Sequence, residues 1–174
     1  MGKLEGKVCI ITGASSGIGK EIAKSFSSEG AKLILAARRL DKLDELANDL
    51  NKHNETTVLQ TDVSKEKDIT NLFEITKKKH TNLDILVNNA GIYSAVPIEN
   101  SATEEFDHIL KVNLRGVYLG TKYVIPAMKN SGGGSIINIS STAGLVGNSR
   151  GGAYGASKGG VRSFTKFAAI QHAK

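Results

Sequence analysis

The stretch VCIITGASSGIGKEIAKSF, Val8 to Phe26, sets an apolar run of strand character directly against a glycine turn and a helical pattern. A strand that feeds a helix through so short a turn must find its next strand by a crossover, so the chain is committed to parallel pairing from its first element. Four further β-rich runs follow at crossover spacing: KLILAA (Lys32 to Ala37), TVLQ (Thr57 to Gln60), DILVN (Asp84 to Asn88) and SIINIS (Ser135 to Ser140). Their near-continuous apolar character predicts strands covered on both faces. The expected fold is α/β, a doubly wound Rossmann-type parallel sheet with five strands in the order 3-2-1-4-5.

The intervening segments carry helical stripes. Leu43, Leu46, Ala47 and Leu50 form one apolar face, and Asp41, with Asp44 three residues on, stands where an N-cap is expected. Ile69, Leu72, Phe73 and Thr76 form the next. After the fourth strand two helices are predicted, about Glu104 to Leu110 and Val112 to Lys129, and the glycines of SGGGS break the chain before the fifth strand. With 174 residues, 40% of them hydrophobic, the chain has the size of one domain, residues 1–174, with a full core.

Composition excludes several function classes. The net charge of +6 is dispersed and aromatics are 5% of the chain, which argues against nucleic acid as a partner. The dense run KKKH, Lys77 to His80, ends a helical pattern, where cations suit the dipole and water. No apolar run approaches a membrane span, the N-terminus lacks a basic flank followed by a cleavable apolar stretch, so no secretory leader is expected, and MGKLEG departs from a myristoylation site at Gly6. Cys9 is the sole cysteine, so no disulfide framework exists and a reducing cytoplasm is the expected location. His53, His80, His108 and His172 stand apart from one another without ligand spacing, so no metal site is expected.

TGASSGIG, Thr12 to Gly19, is where chemistry enters. Strand, glycine turn and helix N-terminus together make a phosphate cradle, because backbone N–H groups point outward and the helix dipole favours an anion. About 20 residues beyond the glycines, dinucleotide folds that take NAD offer an acid to the adenosine ribose. This chain reads AARR there. An acid at Ala37 would repel a ribose phosphate, whereas Arg38, with Arg39 beside it, can hold one by charge-assisted hydrogen bonds. NADP is therefore the expected cofactor and NAD the less favoured one; the plainer alternative is two arginines in water at a strand end.

In this order these residues resemble the short-chain dehydrogenase/reductase family over the entire chain. The resemblance implies that Gly13, Ser15, Ser16, Gly17, Ile18 and Gly19 hold the cofactor, with Arg38, Asp62 and Val63 of DVS near its adenosine and Asn89, Ala90 and Gly91 of NNAG closing the fourth strand. It also implies a catalytic set of Asn113, Ser141, Tyr154 and Lys158, the last two touching cofactor as well. Asn113 in KVNLRG would pin a helix irregularity or a proton-passing water, although an N-cap role fits its local sequence nearly as well. Association into dimers or tetramers is implied for the full-length protein.

Two YxxxK pairs compete for the catalytic role, YGASK at Tyr154 and YLGTK at Tyr118. In the family a serine precedes the tyrosine by thirteen residues; Ser141 does so for Tyr154, while Glu105 stands thirteen before Tyr118. Tyr118 is therefore read as a packing residue. Hydride transfer to a carbonyl carbon leaves negative charge on oxygen, which needs a proton donor and a stabilising partner. Tyr154 would supply the proton, Lys158 one helical turn away would favour the phenolate and bind the nicotinamide ribose, and Ser141 would hold the substrate oxygen.

The expected activity is thus an NADP-dependent hydride transfer between nicotinamide and a carbonyl or secondary alcohol. Alternatives are a non-catalytic NADP-binding regulator and, within the enzyme class, a 3-oxoacyl thioester reductase. IYSAVP after NNAG and TAGLVGN after Ser141 are apolar or small, which favours a neutral small-molecule substrate. Family members run to about 250 residues, so the resemblance also implies a C-terminally incomplete domain: a sixth and seventh strand and the substrate lid are expected beyond Lys174, and the 174-residue chain alone is expected to be inactive.

Overall fold

The computed structural model describes residues 2–51 and 54–173; His53 lies outside them. Five parallel strands form one sheet: β1 (Val8–Thr12), β2 (Lys32–Ala37), β3 (Thr56–Gln60), β4 (Ile85–Asn88) and β5 (Ser135–Asn138), in the order β3-β2-β1-β4-β5. Among the described residues six α-helices cross over between and after them: α1 (Gly17–Ser28), α2 (Leu40–Leu50), α3 (Glu66–Lys79), α4 (Thr103–Leu110), α5 (Gly116–Asn130) and α6 (Gly152–His172). The sheet order reverses between β1 and β4, which opens a crevice at the carboxyl ends of the strands.

The core forms on both faces of β1 and β2. Cys9, Ile11, Leu33 and Leu35 pack under Leu43, Leu46 and Leu50 of α2, while Ile10, Ile34 and Leu86 pack under Leu72 of α3 and Val124 and Met128 of α5. The apolar stripes thus bury as their spacing requires, with Phe73 only partly covered. Lys77, Lys78 and Lys79 occupy the last turn of α3, where the dipole favours them.

Several boundaries differ from the sequence-based expectation: β3 and α4 each begin one residue earlier, at Thr56 and Thr103, and four differences have a visible setting. Helix α2 begins at Leu40 with Arg39 at the N-cap, so Asp41 sits in the first turn, where its charge still suits the dipole, and not at the cap. β4 begins at Ile85, although the Asp84 amide still donates to the Val8 carbonyl at 3.0 Å and its carbonyl accepts from the Ser135 amide at 2.8 Å; its carboxylate meanwhile accepts from Lys7 Nζ and the Val8 amide, each at 2.9 Å. β5 ends at Asn138: the Ile139 amide still reaches Asn88, but the Ile139 carbonyl is taken by Lys158 Nζ at 2.8 Å. The two predicted helices after β4 are continuous, joined through a π-turn at Lys111–Arg115, so the second α-helix begins at Gly116 rather than Val112.

Among the described residues no helix is long and apolar enough to cross a membrane. No group of three or more metal-ligating side chains occurs among them either.

Candidate active site

The turn between β1 and α1 takes its shape from two glycines in left-handed conformation, Gly13 (φ 68°) and Gly17 (φ 54°). Gly19 answers to a different constraint. A Cβ there would stand 2.5 Å from the Gly13 carbonyl oxygen and 2.5 Å from Asn89 Nδ2, so only glycine lets the helix start close against the turn. Thr12 and Asn89 stitch this turn to the one after β4: Thr12 Oγ1 accepts from the Asn89 and Ala90 amides at 3.0 and 3.1 Å, and Asn89 Nδ2 donates to the Thr12 carbonyl at 3.0 Å.

The N-terminus of α1 has no acid in its first turn, and the Ser16 side chain does not cap it. The hydroxyls of Ser15 and Ser16 instead accept from Arg39 Nη2, at 3.0 and 2.6 Å. Uncapped helix amides with a guanidinium beside them form an anion cradle. A cavity of about 370 Å³ opens over it, lined by Gly13, Ser15, Ser16 and Ile18, by Ala37, Arg38 and Arg39, by Asp62 and Val63, and by Asn89, Ala90 and Gly91. Of the expected cofactor residues in the first three strand-end segments and the NNAG turn, only Gly17 and Gly19 are not among its walls, and these two shape the turn itself.

Asp62 is held ready in this wall. Burial pushes its carboxyl upward, but hydrogen bonds from the Ser64 hydroxyl and amide, with Lys65 and Arg38 nearby, outweigh that and leave it below the ordinary carboxylate range.

On the other side of the crevice, α6 carries Tyr154 and Lys158. Lys158 is 4% exposed, and its ammonium lies 5.7 Å from the centre of the Tyr154 ring. Burial lowers its pKa from the ordinary lysine value. Tyr93, which follows NNAG, meets the Tyr154 ring edge-on at 5.0 Å. Ser141 caps a short 3₁₀ turn, its Oγ accepting from the Ala143 amide at 3.2 Å, which leaves the hydroxyl proton to donate elsewhere. The neighbouring Ser140 hydroxyl donates to the Lys158 carbonyl at 2.9 Å, fixing this turn on α6.

Asn113 is fully buried in the middle of the π-turn and caps no helix. Its Oδ1 accepts from the Ile92 amide and its Nδ2 donates to the Ile92 carbonyl, both at 2.8 Å. The same Nδ2 donates to Ser157 Oγ at 3.1 Å, and Ser157 Oγ donates to the Tyr154 carbonyl at 2.7 Å. The side-chain amide therefore pins the helix irregularity, one of the two roles expected of it. No local signal singled out Ser157, although its place just before Lys158 puts it on the buried face of the same helix.

The competing pair behaves otherwise. Tyr118 is 48% exposed and touches Phe164 edge-on at 5.8 Å, so it packs only at the surface, and Lys122 donates to Glu66 at 3.0 Å. Position 118 faces outward on α5, away from the core that Val117, Leu119 and Val124 enter.

The NNAG turn links the two sides: Gly91 lines the cavity over the glycine turn, and a Cβ on it would lie 3.4 Å from Asn113 Oδ1 and 3.6 Å from Lys158 Nζ. Residues 7–174 match the sequence profile of the short chain dehydrogenases. The chain belongs to the short-chain dehydrogenase family. Members of that family are oxidoreductases that interconvert CH–OH and C=O groups.

Among its relatives, the NADP-dependent (R)-specific alcohol dehydrogenase of Lentilactobacillus kefiri is 43% identical over 97% of this chain and 67% of its own length. A 3-oxoacyl-acyl-carrier-protein reductase of Thermotoga maritima is 40% identical over 94% of this chain and 67% of its own. The crystal structure of a short-chain type dehydrogenase/reductase from Mycobacterium marinum superposes with a TM-score of 0.93 at 32% identity, covering 98% of this chain and 68% of that one. The chain thus spans about two thirds of the length of these family members.

Proposed function

We propose that the protein is an NADP-dependent oxidoreductase that transfers hydride between nicotinamide and a neutral carbonyl or secondary alcohol. The observation that carries the cofactor choice is the pairing of Arg38 and Arg39 with Ala37 at the wall of the anion cradle, where Arg39 already binds both serine hydroxyls of the turn. A ribose phosphate meets guanidinium groups there and no carboxylate on β2. The L. kefiri relative, NADP-dependent by name, supports the same reading.

When bound, the nicotinamide supplies or accepts the hydride. The chain's own residues do the rest. Tyr154 donates its phenolic proton to the carbonyl oxygen, or takes it back in the oxidative direction. Lys158, itself buried, holds positive charge beside the ring, and Ser141 orients the substrate oxygen through its unused proton. Asn113 acts through Ser157 and Ile92, fixing the turn of α6 on which Tyr154 stands.

A non-catalytic regulator would bind the same cofactor without needing a tyrosine beside a buried lysine on α6. The mostly small or apolar loop 143–148 beside the start of α6, with Arg150 as the one charged side chain in the same cavity wall, supports a neutral substrate, with a 3-oxoacyl thioester as the second candidate because of the T. maritima relative. We place the enzyme in the cytoplasm, as a homo-oligomer, for which the exposed Tyr118 and Phe167 beside Phe164 offer an apolar face.

The test uses the full-length protein: affinities for NADPH and NADH are measured for wild type and Arg38→Asp, and NADPH oxidation is followed with simple ketones and a 3-oxoacyl thioester. NADPH is expected to bind more tightly than NADH, and Arg38→Asp to narrow or invert the ratio. Tighter NADH binding by wild type, or an unchanged ratio in the variant, defeats the assignment.

A further inference from the structure

The π-turn that holds Asn113 has a second outlet, on the opposite side of the cofactor crevice. Arg115, its last residue, donates from Nη1 to the Ser64 carbonyl at 2.9 Å and from Nη2 to Glu66 Oε2 at 3.2 Å. Glu66 is itself fixed on α3 by Tyr123 Oη at 2.7 Å and Lys122 Nζ at 3.0 Å, both from α5. Ser64 in turn holds the Asp62 carboxylate by its amide and hydroxyl, at 3.0 and 2.7 Å. The next residue, Gly116, presses on the same turn: a Cβ there would lie 3.0 Å from Val63 Cγ2 and 3.3 Å from the Val63 carbonyl oxygen.

Asp62 and Val63 form one wall of the crevice and Val112, from the π-turn, another part of it. Residues 61–64 follow β3 at the edge of the sheet: the Thr61 amide still donates to the Ala37 carbonyl at 2.9 Å, but beyond it the strand ladder stops, and the Asp62 amide turns to Asp68 Oδ2 at 3.0 Å while the Asp62 carbonyl accepts from the Lys65 amide at 2.9 Å. These local bonds leave the Ser64 carbonyl and the Val63 side chain to be met from α5 and the π-turn, by Arg115 and by the close approach of Gly116.

We propose that Arg115 is a positioning residue for cofactor binding: it locks the turn Asp62–Ser64 in the shape that receives the adenosine half of the dinucleotide. Through the same π-turn, Asn113 fixes the tyrosine helix, so one five-residue irregularity sets both ends of the cofactor site. This inference rests on the dinucleotide reading of the crevice.

The decisive comparison is between whole cofactor and a cofactor without its adenosine half. In the full-length protein, dissociation constants are measured for NADPH and for reduced nicotinamide mononucleotide, in wild type, Arg115→Met, Arg115→Lys and Glu66→Gln. Arg115→Met is expected to weaken NADPH about three- to tenfold, the scale of a partly exposed charge-assisted bond, and to leave the mononucleotide within about twofold. Arg115→Lys, which cannot fork to both acceptors, is expected to fall between it and wild type.

Unchanged NADPH affinity overturns the proposal, and so does an equal loss for both cofactors, which would mark a general loosening of the fold. Should Arg115→Met fail to fold, the same comparison is read from Arg115→Lys and Glu66→Gln. Wild type that binds NADH and not NADPH refutes the phosphate reading alone; NADH then replaces NADPH here, because the adenosine is common to both.

Discussion

Around β1 and β2, Cys9, Ile10, Ile11 and Leu35 have no exposed surface, and each strand is paired on both sides. At the other end of the sheet, β5 is an edge strand with Ser135 and Ile137 exposed, and α6 buries only Ser157, Lys158 and Val161 along its 21 residues. The first region is held by apolar packing and shaped by glycines. The second is held by hydrogen bonds from polar side chains, among them Asn88 to Asn138 at 2.9 Å and Asn138 to Thr165 at 3.0 Å across β4, β5 and α6.

Two buried titratable groups show what the difference means. Burial pushes the Cys9 thiol up to about 12, with the Asp84 carboxylate adding to the effect, so the group stays neutral and serves as a small hydrophobe. Burial acts on Lys158 as well, lowering its pKa, but there an ammonium is placed against the Ile139 carbonyl and the Tyr154 ring. The glycine-shaped side supplies a rigid binding surface. The polar side places a charge where a reaction can use it.

The largest expected effect separates the two functions. In the full-length enzyme Tyr154→Phe is expected to lower kcat by about 10²–10⁴-fold while NADPH affinity changes little, because only the proton donor is lost. Tyr118→Phe is expected to alter kcat by less than about twofold, since its ring lies at the surface against Phe164. Near-normal turnover by the Tyr154 variant would break the division between a binding side and a chemical side.

A smaller effect tests the glycines. Gly19→Ala forces a methyl group onto the Gly13 carbonyl and is expected to destabilise the fold by about 1–3 kcal/mol and to abolish cofactor binding. Gly147→Ala, in the loop before α6 with open space around it, is expected to stay within about 0.5 kcal/mol. Urea unfolding with NADPH titration measures both; equal tolerance at the two positions would remove the contrast.

The smallest effect is a pH dependence assigned to Cys9. Its folded pKa lies above the ordinary 9.0, so its contribution to stability is fully present below about pH 9 and is lost as pH rises towards about 12, where the unfolded thiol ionises and the folded one does not. The slope is at most about 1.4 kcal/mol per pH unit. Wild type is therefore expected to lose about 1 kcal/mol more than Cys9→Ala between about pH 8 and pH 10 in urea unfolding. A parallel decline of the two proteins would show that Cys9 does not titrate as a buried thiol.

The parallel sheet and the glycine turn were legible because each depends on neighbours in the chain, whereas the preference for the Tyr154 pair came from the family's serine spacing and remains a proposal. Five apolar runs at crossover spacing admit few topologies, and a serine thirteen residues before Tyr154 is a fact of spacing. The exact starts and ends were less so. The N-cap of α2 fell to Arg39 and not Asp41, and β5 stopped at Asn138 because Lys158, twenty residues on, takes the next carbonyl.

The resemblance offered Asn113 a helix irregularity or a proton-passing water, while the local pattern of KVNLRG offered an N-cap, which suits a short polar side chain near a helix start. Its partners decide the matter: Ile92 lies 21 residues before it and Ser157 lies 44 after. The same holds for Arg115 with Ser64, 51 residues apart. Periodicity and turn chemistry act over a few residues, so the sequence alone determined the parallel sheet, the anion cradle after β1 and the tyrosine–lysine pair on one helix face. Which buried amide, hydroxyl and guanidinium join those parts was decided only in the tertiary structure, because a buried polar group must find its partner in space, and the fold brings that partner from a distant part of the chain.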